Sequence, residues 1–194
     1  MTNTDSSATR DYAAIEAPEL ALPREQRMGM LVDRLWAAFG NPATLDGSLT
    51  GDAAAALRGY SWVGFYFAPD CPFTDVHGQR LRPSAHEMLL DRRQPKPACS
   101  PIGLSGMCGR SYREAVPIVV GDVATLSDGY IACDPRDRSE VVVPCFDEQG
   151  RVYAVLDVDG YAPHEFSAHD AERLHELLVR SGLSRGGVRD LLMI

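Results

Sequence analysis

The sequence predicts an α+β domain in which a central antiparallel sheet has the N- and C-terminal helices packed on one side. Apolar residues recur at helical spacing over residues 24–39 and again after residue 167. The segments between them are short and rich in β-branched and aromatic residues. This order of helix, strands with long excursions, hairpin and helix favours separate α and β layers. With 194 residues, the chain is long enough for one domain with its own core.

The first helix is predicted over residues 24–39. Pro23 stands where the first turn of a helix tolerates proline, and Gly40-Asn41-Pro42 ends the pattern. The apolar face consists of Met28, Leu31, Leu35 and Phe39. A second, short helix is predicted over residues 51–57. Residues 1–22 carry few apolar groups, and we expect them to form a polar tail.

The strands are predicted from short β-branched and aromatic runs. Residues 61–67 form the clearest run, and the proline- and glycine-containing residues 68–87 after it predict a long loop. Further strands are expected near residues 88–90, 118–120, 140–144 and 152–159. The last two flank Asp147-Glu148-Gln149-Gly150, whose length and glycine are typical of a hairpin turn.

The closing helix is predicted to begin after Ser167, a good N-cap residue, with Asp170 three positions further on. Its apolar face carries Leu174, Leu177 and Leu178. Because Gly186-Gly187 breaks any continuation, residues 183–194 are expected to form a loosely held C-terminal tail. The predicted domain therefore spans residues 23–182.

Composition and charge exclude several classes of partner. Apolar residues make up 45% of the chain, as in globular proteins, and the formal net charge is −8. An acidic surface repels nucleic acid and anionic lipid, and no apolar run reaches the roughly 20 residues of a membrane span. We therefore expect neither a nucleic-acid nor a membrane partner. Residues 1–16 lack the apolar core of a secretory signal, so we expect a cytoplasmic protein with reduced thiols.

The five cysteines differ in local context. Cys145 follows three valines and a proline and is predicted to be a packed small hydrophobe, while Cys71 lies in the proline-rich loop with no evident role. Cys99, Cys108 and Cys133 lie beside turn residues, where a substrate can approach a thiol. Neither their spacing nor the histidines resemble a zinc knuckle, so no metal site is expected. Local context alone favours redox chemistry and three unremarkable thiols equally.

The second hairpin strand carries a group of acids. Asp157 and Asp159 point to the same side, about 7 Å apart at a rise of roughly 3.3 Å per residue. Tyr153 and Val155 are expected on that side too, and Glu140 on the neighbouring strand can add a third carboxylate. The opposite face is predicted to lie in the core and consists of Val152, Ala154, Leu156 and Val158. Such close carboxylates repel each other, so either a cation lies between them or the segment is a solvated acidic strand end.

On the strand at residues 61–67, Trp62, Gly64 and Tyr66 share one face. The glycine is expected to leave a hollow between the two aromatic side chains. That hollow would suit a small cation or a thioether. Ordinary aromatic packing explains the same pattern equally well.

Six short motifs follow one another over roughly residues 25–180. They are Trp62-Val63-Gly64-Phe65-Tyr66, Lys96-Pro97-Ala98-Cys99, Gly106-Met107-Cys108-Gly109, Tyr130-Ile131-Ala132-Cys133-Asp134, Ser139-Glu140-Val141-Val142-Val143-Pro144 and Val155-Leu156-Asp157-Val158-Asp159. Each is weak alone, but in this order, with three cysteines and three acids, the set is specific. It resembles the free methionine-(R)-sulfoxide reductases, which are stand-alone GAF domains.

For the thiols, the resemblance implies that Cys133 is the nucleophile, Cys99 the resolving thiol and Cys108 an auxiliary thiol in disulfide exchange. The implied reaction converts free L-methionine-R-sulfoxide to L-methionine, with a cysteine sulfenic acid and then an intramolecular disulfide as intermediates. An external dithiol such as thioredoxin would reduce the disulfide, and no cofactor is needed. The terminal helices are a candidate homodimer face, as in many GAF proteins.

For the pocket, the resemblance implies that the three acids bind the amino acid and polarise the sulfoxide. These acids are Glu140, Asp157 and Asp159. We expect Trp62 and Tyr66 to line the same pocket.

The chain departs from the family pattern in three places. Asp91-Arg92-Arg93-Gln94-Pro95 stands where the family usually has a glycine-rich segment, and the loop at residues 68–87 is longer. Ala154-Val155-Leu156-Asp157-Val158-Asp159 stands where the family has Gly-Val-Leu-Asp-Ile-Asp. A different class of function is a non-catalytic GAF module that binds a small ligand or senses redox state. Such a module has no evident need for three loop thiols together with three acids.

Overall fold

The computed structural model describes residues 10–126, 133–186 and 190–194. The helices are α1 (Arg24–Phe39), α2 (Gly51–Ala55), α3 (Met107–Glu114) and α4 (Ala168–Arg180). The strands are β1 (Trp62–Phe67), β2 (Phe73–Thr74), β3 (Arg80–Leu81), β4 (Glu87–Gln94), β5 (Ile102–Gly103), β6 (Ile118–Val120), β7 (Ser139–Phe146), β8 (Val152–Gly160) and β9 (Leu192–Met193).

Seven strands form one sheet in the order β5-β4-β1-β8-β7-β6-β9. Every neighbouring pair is antiparallel except β6 and β9, which run parallel. The prediction of a central antiparallel sheet is therefore confirmed, and the single parallel pair at its edge is an addition that the sequence pattern did not predict. The loop at residues 68–87 contains a small hairpin of its own, formed by β2 and β3.

Helices α1 and α4 cover the same face of the sheet, as predicted. Leu31 and Leu35 of α1, and Leu174 and Leu178 of α4, pack in one buried cluster with the inward side chains of β1, β7 and β8. Ser167 caps α4 in a reciprocal capping box with Asp170, which satisfies free backbone N–H groups at the helix start. None of the helices in the described ranges is long and apolar enough to cross a membrane.

The opposite face of the sheet is covered by α3 and by the chain before it. A second, smaller cluster on this face joins Trp62 and Tyr66 of β1 to Val142 of β7 and Cys108 of α3. Ile102 and Leu104 pack against it from the preceding segment. This face therefore carries the thiols and aromatic side chains, while the terminal helices are kept to the other side.

On β8, the side chain of Tyr153 points to a different face of the sheet from the one predicted. Its register against β7 shifts between Cys145 and Phe146, which pair with Ala154 and Val152. Tyr153 is therefore turned into the helix-covered core, where its hydroxyl donates a hydrogen bond of 2.7 Å to the Leu183 carbonyl. The prediction that Tyr153 shares a face with the acids was wrong, because a bulge breaks the two-residue period.

The predicted N-terminal tail, residues 1–22, is packed against the domain from Arg10 onward; residues 1–9 lie outside the described ranges. Tyr12 is 1% exposed, and its hydroxyl donates a hydrogen bond of 2.8 Å to Asp170. Arg10 forms ion pairs with Asp170 and Glu165. This segment thus ties the start of α4 to the core through a buried polar network that hydropathy does not reveal.

The predicted C-terminal tail, residues 183–194, also contributes to the domain. Leu183 and Ser184 are buried, and Leu192 pairs with Ile118 in the parallel β6–β9 ladder. Gly187, the second glycine of the predicted break, lies outside the described residues.

We predict that Tyr12→Ala lowers the free energy of unfolding by roughly 3–5 kcal/mol, because it removes a buried aromatic ring and a buried hydrogen bond. Urea denaturation measures the change, and Glu19→Ala, at an exposed site in the same segment, is the matched control. Equal unfolding midpoints for the two variants would show that this segment does not belong to the folded domain.

Candidate active site

Strand register brings the predicted acids together. Asp159 of β8 pairs with Trp62 of β1 on one side and with Glu140 of β7 on the other. Two residues earlier on β8, Asp157 pairs with Gly64 and is 7% exposed. Because alternate residues of a strand face the same side, Trp62 and the three acids line one pocket on the α3 face.

The predicted hollow at Gly64 is filled. A Cβ atom at this position would lie 2.3 Å from the Trp62 ring, so the indole lies directly over the glycine. Trp62 and Tyr66 are both nearly inaccessible, with ring centroids 6.0 Å apart. Gly64 therefore allows the indole to lie flat as the wall of the pocket, rather than leaving an open space between two rings.

The two aromatic side chains also hold the segment that carries Cys99. The Trp62 indole donates a hydrogen bond of 2.9 Å to the Lys96 carbonyl, and the Tyr66 hydroxyl donates one of 2.9 Å to the Cys99 carbonyl. The backbone of residues 96–99 is thus fixed to β1, and Cys99 is placed at the mouth of the pocket.

Two of the three predicted redox thiols meet there. Cys99 and Cys133 are free and exposed, and the Cys133 thiol lies within hydrogen-bonding distance of the Cys99 side chain and backbone. Partial burial and the neighbouring Cys99 thiol raise the pKa of Cys133 to about 12. Residues 130–132, the part of the motif before Cys133, lie outside the described residues.

The third thiol is placed differently from the prediction. Cys108 belongs to the first turn of α3 rather than to a loop, and it is buried. It hydrogen-bonds to Asp157 at the base of the pocket. Burial, together with the nearby charges of Asp157 and Glu140, raises the pKa of Cys108 well above the usual range. It lies on the pocket wall, apart from the thiol pair at the mouth.

The acids of the pocket resist ionisation. Burial raises the pKa of Asp157 to about 6, although hydrogen bonds with Cys108 and Glu140 oppose the shift. Burial, and then the charges of Asp157 and of Asp137, raise the pKa of Asp159 well above its usual range. No lysine, arginine or histidine is among the described residues that line this pocket. Neutral carboxyl groups are therefore available as proton donors near pH 7.

A fourth acid, Asp137, was not among the residues predicted from the sequence. It is 5% exposed, lines the pocket and accepts a hydrogen bond of 2.8 Å from the Ser61 hydroxyl. Burial, opposed by that hydrogen bond and reinforced by the charge of Asp134, raises the pKa of Asp137 to about 7. The position of Asp137 between Cys133 and Glu140 in the sequence was the signal that could have indicated a pocket residue.

A second missed residue, Asp134, anchors the segment that carries Cys133. Its carboxylate accepts hydrogen bonds from Lys96, from Arg136 at 2.7 Å and from the Tyr161 hydroxyl at 2.8 Å. Although burial opposes it, these donors hold the pKa of Asp134 well below its usual range. Because Lys96 lies three residues before Cys99, this ion pair links the segments of both rim thiols.

The remaining cysteines lie away from the pocket. Cys145 is buried in the helix-covered core, as predicted, and Cys71 is half-buried beside the core clusters.

At the base of the pocket, one donor atom each from Cys108, Glu140 and Asp157 lie within 4.8 Å of one another. A divalent cation can bridge donors at this spacing, a grouping that their distances along the sequence conceal.

Terminal helices on one face of an antiparallel sheet and a pocket on the other define a GAF-type domain. The chain belongs to the GAF domain family, whose model matches residues 48–179.

The chain is also similar to named proteins. Protein YtsP of Bacillus subtilis is 32% identical over 120 residues, which are 61% of this chain and 64% of that protein. The free methionine-R-sulfoxide reductase of Saccharomyces cerevisiae is 30% identical over 118 residues, 60% of this chain and 58% of that enzyme. The matched region thus spans less than two thirds of each of these relatives.

A solved structure matches this chain over a larger share of both sequences. The free methionine-R-sulfoxide reductase from Neisseria meningitidis, in complex with its substrate, is 28% identical and has a TM-score of 0.60. The match covers 90% of this chain and 83% of that chain.

The opposite pKa shifts of Asp137 and Asp134 predict opposite effects of substitution on stability. Because the folded-state pKa of Asp137 is raised from 3.8 to about 7, its contribution to stability is present in full below pH 4 and lost as pH rises through 7. Asp137→Asn removes that loss, so the variant should gain about 1–3 kcal/mol relative to the parent between pH 5 and pH 8.

Asp134→Asn is the matched control. In the parent, the lowered pKa of Asp134 contributes stability above pH 4. The Asp134→Asn variant loses this contribution and should be less stable than the parent at pH 7. Thermal unfolding at pH 5 and pH 8 measures both. A stability difference for Asp137→Asn that does not change with pH would contradict the assigned protonation of the pocket.

Proposed function

We propose that this chain reduces free L-methionine-R-sulfoxide to L-methionine through Cys133. The observation that carries the proposal is the contact between two free thiols, Cys133 and Cys99, at the mouth of a pocket lined by carboxyl groups. An accessible thiol pair beside protonated acids suits a sulfur reduction that consumes protons. The names of the yeast and N. meningitidis relatives support this assignment.

The pocket offers complementary groups for a free amino acid. Asp157, with a pKa of about 6, is ionised at neutral pH and is the proposed partner of the α-ammonium. Trp62 and Tyr66 supply the apolar and cation-accepting wall. The pocket offers a ligand about 30 Å³, close to the size of one or two water molecules, so binding of an amino acid requires its lining side chains to move apart.

The chemical step transfers the sulfoxide oxygen to the thiol. Asp159, whose raised pKa keeps it protonated, donates a proton to the sulfoxide oxygen and makes the sulfur electrophilic. The Cys133 sulfur attacks the sulfoxide sulfur and forms a transient sulfur–sulfur bond. The protonated oxygen then bonds to the Cys133 sulfur while that bond and the sulfur–oxygen bond of the substrate break, so that methionine leaves as a two-electron-reduced thioether. Cys133 becomes a sulfenic acid, and its thiol proton restores Asp159. Because the proton is passed on in this way, the step does not depend on a free thiolate at pH 7.

A second thiol resolves the sulfenic acid. Cys99 already contacts Cys133, so attack of its sulfur on the sulfenic sulfur forms the disulfide and releases water. Cys108, which is hydrogen-bonded to Asp157 inside the pocket, is the proposed auxiliary thiol for a later thiol–disulfide exchange. An external dithiol then reduces the disulfide to regenerate both thiols.

For the surroundings of the reaction, we propose thioredoxin as the reductant and the cytoplasm as the compartment. Exposure of Cys99 and Cys133 supports exchange with a protein dithiol. A homodimer through the outer sides of α1 and α4 stays a prediction that sedimentation can test.

The competing function is a GAF module that binds a ligand or senses redox state without turnover. Both functions allow a disulfide between the rim thiols, but only the reductase releases methionine in proportion to the thiols consumed.

We predict that Cys133→Ser abolishes methionine formation, while Cys99→Ser releases one methionine per chain and then stalls as the sulfenic acid. Methionine released from the reduced protein without an added reductant measures the single turnover. Cys71→Ser is the matched control, because this half-buried cysteine lies outside the pocket and should leave turnover unchanged. Sustained turnover by Cys133→Ser would remove Cys133 as the nucleophile.

A second prediction concerns the free α-ammonium. N-acetylation removes the positive charge that Asp157 is proposed to bind, and losing one buried charge-assisted contact costs about 2–5 kcal/mol. The kcat/KM for N-acetyl-methionine sulfoxide should therefore fall at least about tenfold. Asp157→Asn should show a smaller N-acetyl penalty than the parent, and Asp159→Asn should keep the penalty while lowering kcat.

Steady-state kinetics on both substrates measure these ratios. If the unmodified and N-acetylated substrates are reduced equally well by the parent, the acids do not select a free amino acid.

A further inference from the structure

The base of the pocket gathers a thiol and two carboxyl groups from three separate elements. Cys108 comes from α3, Glu140 from β7 and Asp157 from β8, and one donor atom of each lies within 4.8 Å of the other two. All three side chains are at most 7% exposed. They are therefore held by packed secondary structure, unlike the acids of a solvated surface.

One atom of this cluster has unused acceptor capacity. Asp157 hydrogen-bonds to Cys108 and Glu140, yet its Oδ1 atom accepts no hydrogen bond from any residue in the described ranges. The oxygen is buried in a pocket whose described lining contains no basic side chain. Leaving a buried carboxyl oxygen without a partner is unfavourable, so the site favours a bound cation at this oxygen.

We propose that Cys108, Glu140 and Asp157 form a Zn²⁺ site at the base of the pocket and that the bound ion competes with the amino-acid substrate. One sulfur and two oxygen donors suit zinc, whereas magnesium and calcium prefer oxygen donors alone. Three protein ligands leave the fourth tetrahedral position open towards the pocket. To reach zinc bonding distances, the donor atoms close by roughly 1 Å.

Binding exchanges protons for the metal without any redox change. Zn²⁺ takes the place of the Cys108 thiol proton, which passes to solvent, and it binds the carboxylate groups of Asp157 and Glu140. The ion then occupies Asp157, the carboxylate that is proposed to bind the substrate ammonium. Zinc binding stands on the geometry alone, while the competition rests on the proposed reductase function.

Cobalt is the spectroscopic probe for the site. The full-length, reduced chain is freed of metal and titrated with Co²⁺, and a thiolate-to-cobalt charge-transfer band is recorded. We expect one equivalent to bind, with the band removed by added Zn²⁺. Cys108→Ser should lose the band, and Asp157→Asn should weaken Co²⁺ binding at least tenfold, with circular dichroism to show that each variant is folded.

The rim thiols are the rival metal ligands, and the double variant Cys99→Ser/Cys133→Ser tests them. The proposal requires this variant to keep the band. A band that survives Cys108→Ser and disappears in the double variant would overturn the proposed site, as would the absence of any band in the parent protein.

The kinetic arm measures methionine released in single turnovers by the parent, so that no thioredoxin system is exposed to zinc. Zn²⁺ should raise the substrate concentration needed for half-maximal rate without changing the maximal rate. If the cobalt band is present but zinc leaves the rate unchanged, the competition is refuted. A protein that shows the band but releases no methionine would refute the reductase function and leave the metal site standing.

Discussion

The crowding of carboxyl groups on one side of β8 constrains the rest of the site. Asp157, Asp159, Glu140 and Asp137 line a single pocket without a basic side chain among its described lining residues. Ionising all of them at once is unfavourable, since burial and like charge both favour the neutral form. The protein therefore holds protons in this pocket near pH 7, and a positively charged ligand is the natural partner of whichever acid ionises first.

The fold supports this arrangement by separating its two faces. The alternate side chains of β8 anchor the helix-covered core, so the acids are carried by a strand that cannot easily shift. Trp62 over Gly64 forms one wall, and α3 brings Cys108 to the base. The Lys96–Asp134 ion pair holds the two rim segments together, which keeps Cys99 and Cys133 close to each other. The acids and the two rim thiols are thus placed by different elements of one fold.

Much of the fold was predictable because periodicity and capping are local signals. The bounds of α1, the capping box at Ser167 and the β7–β8 hairpin all follow from neighbouring residues. The packing of the N-terminal segment was not predictable, because Arg10 and Tyr12 are held by partners about 155–168 residues away in the sequence. The polarity of this segment alone suggested a free tail. The bulge that turns Tyr153 inward is likewise a property of strand pairing.

The candidate site was likewise predictable only in part. The motifs identified the thiols, three acids and two aromatic residues, and strand alternation placed Asp157 and Asp159 on one side. Asp137 was missed because its role depends on Ser61, which is distant in sequence. Cys108 was assigned to a loop because the glycines around it resemble a turn, whereas Gly109 is required by the close approach of the Leu104 backbone to α3.

The proposed function requires that the pocket bind a free amino acid and that its R-sulfoxide be reduced. Thioredoxin-coupled NADPH consumption measures this, with free L-methionine-R-sulfoxide compared with the free S epimer and with a peptide-bound sulfoxide. We expect turnover with the free R epimer, and little or none with the other two, because only that substrate offers an α-ammonium together with the correct orientation of oxygen. Equal turnover of the peptide-bound sulfoxide, or no turnover of the free R epimer, would contradict it.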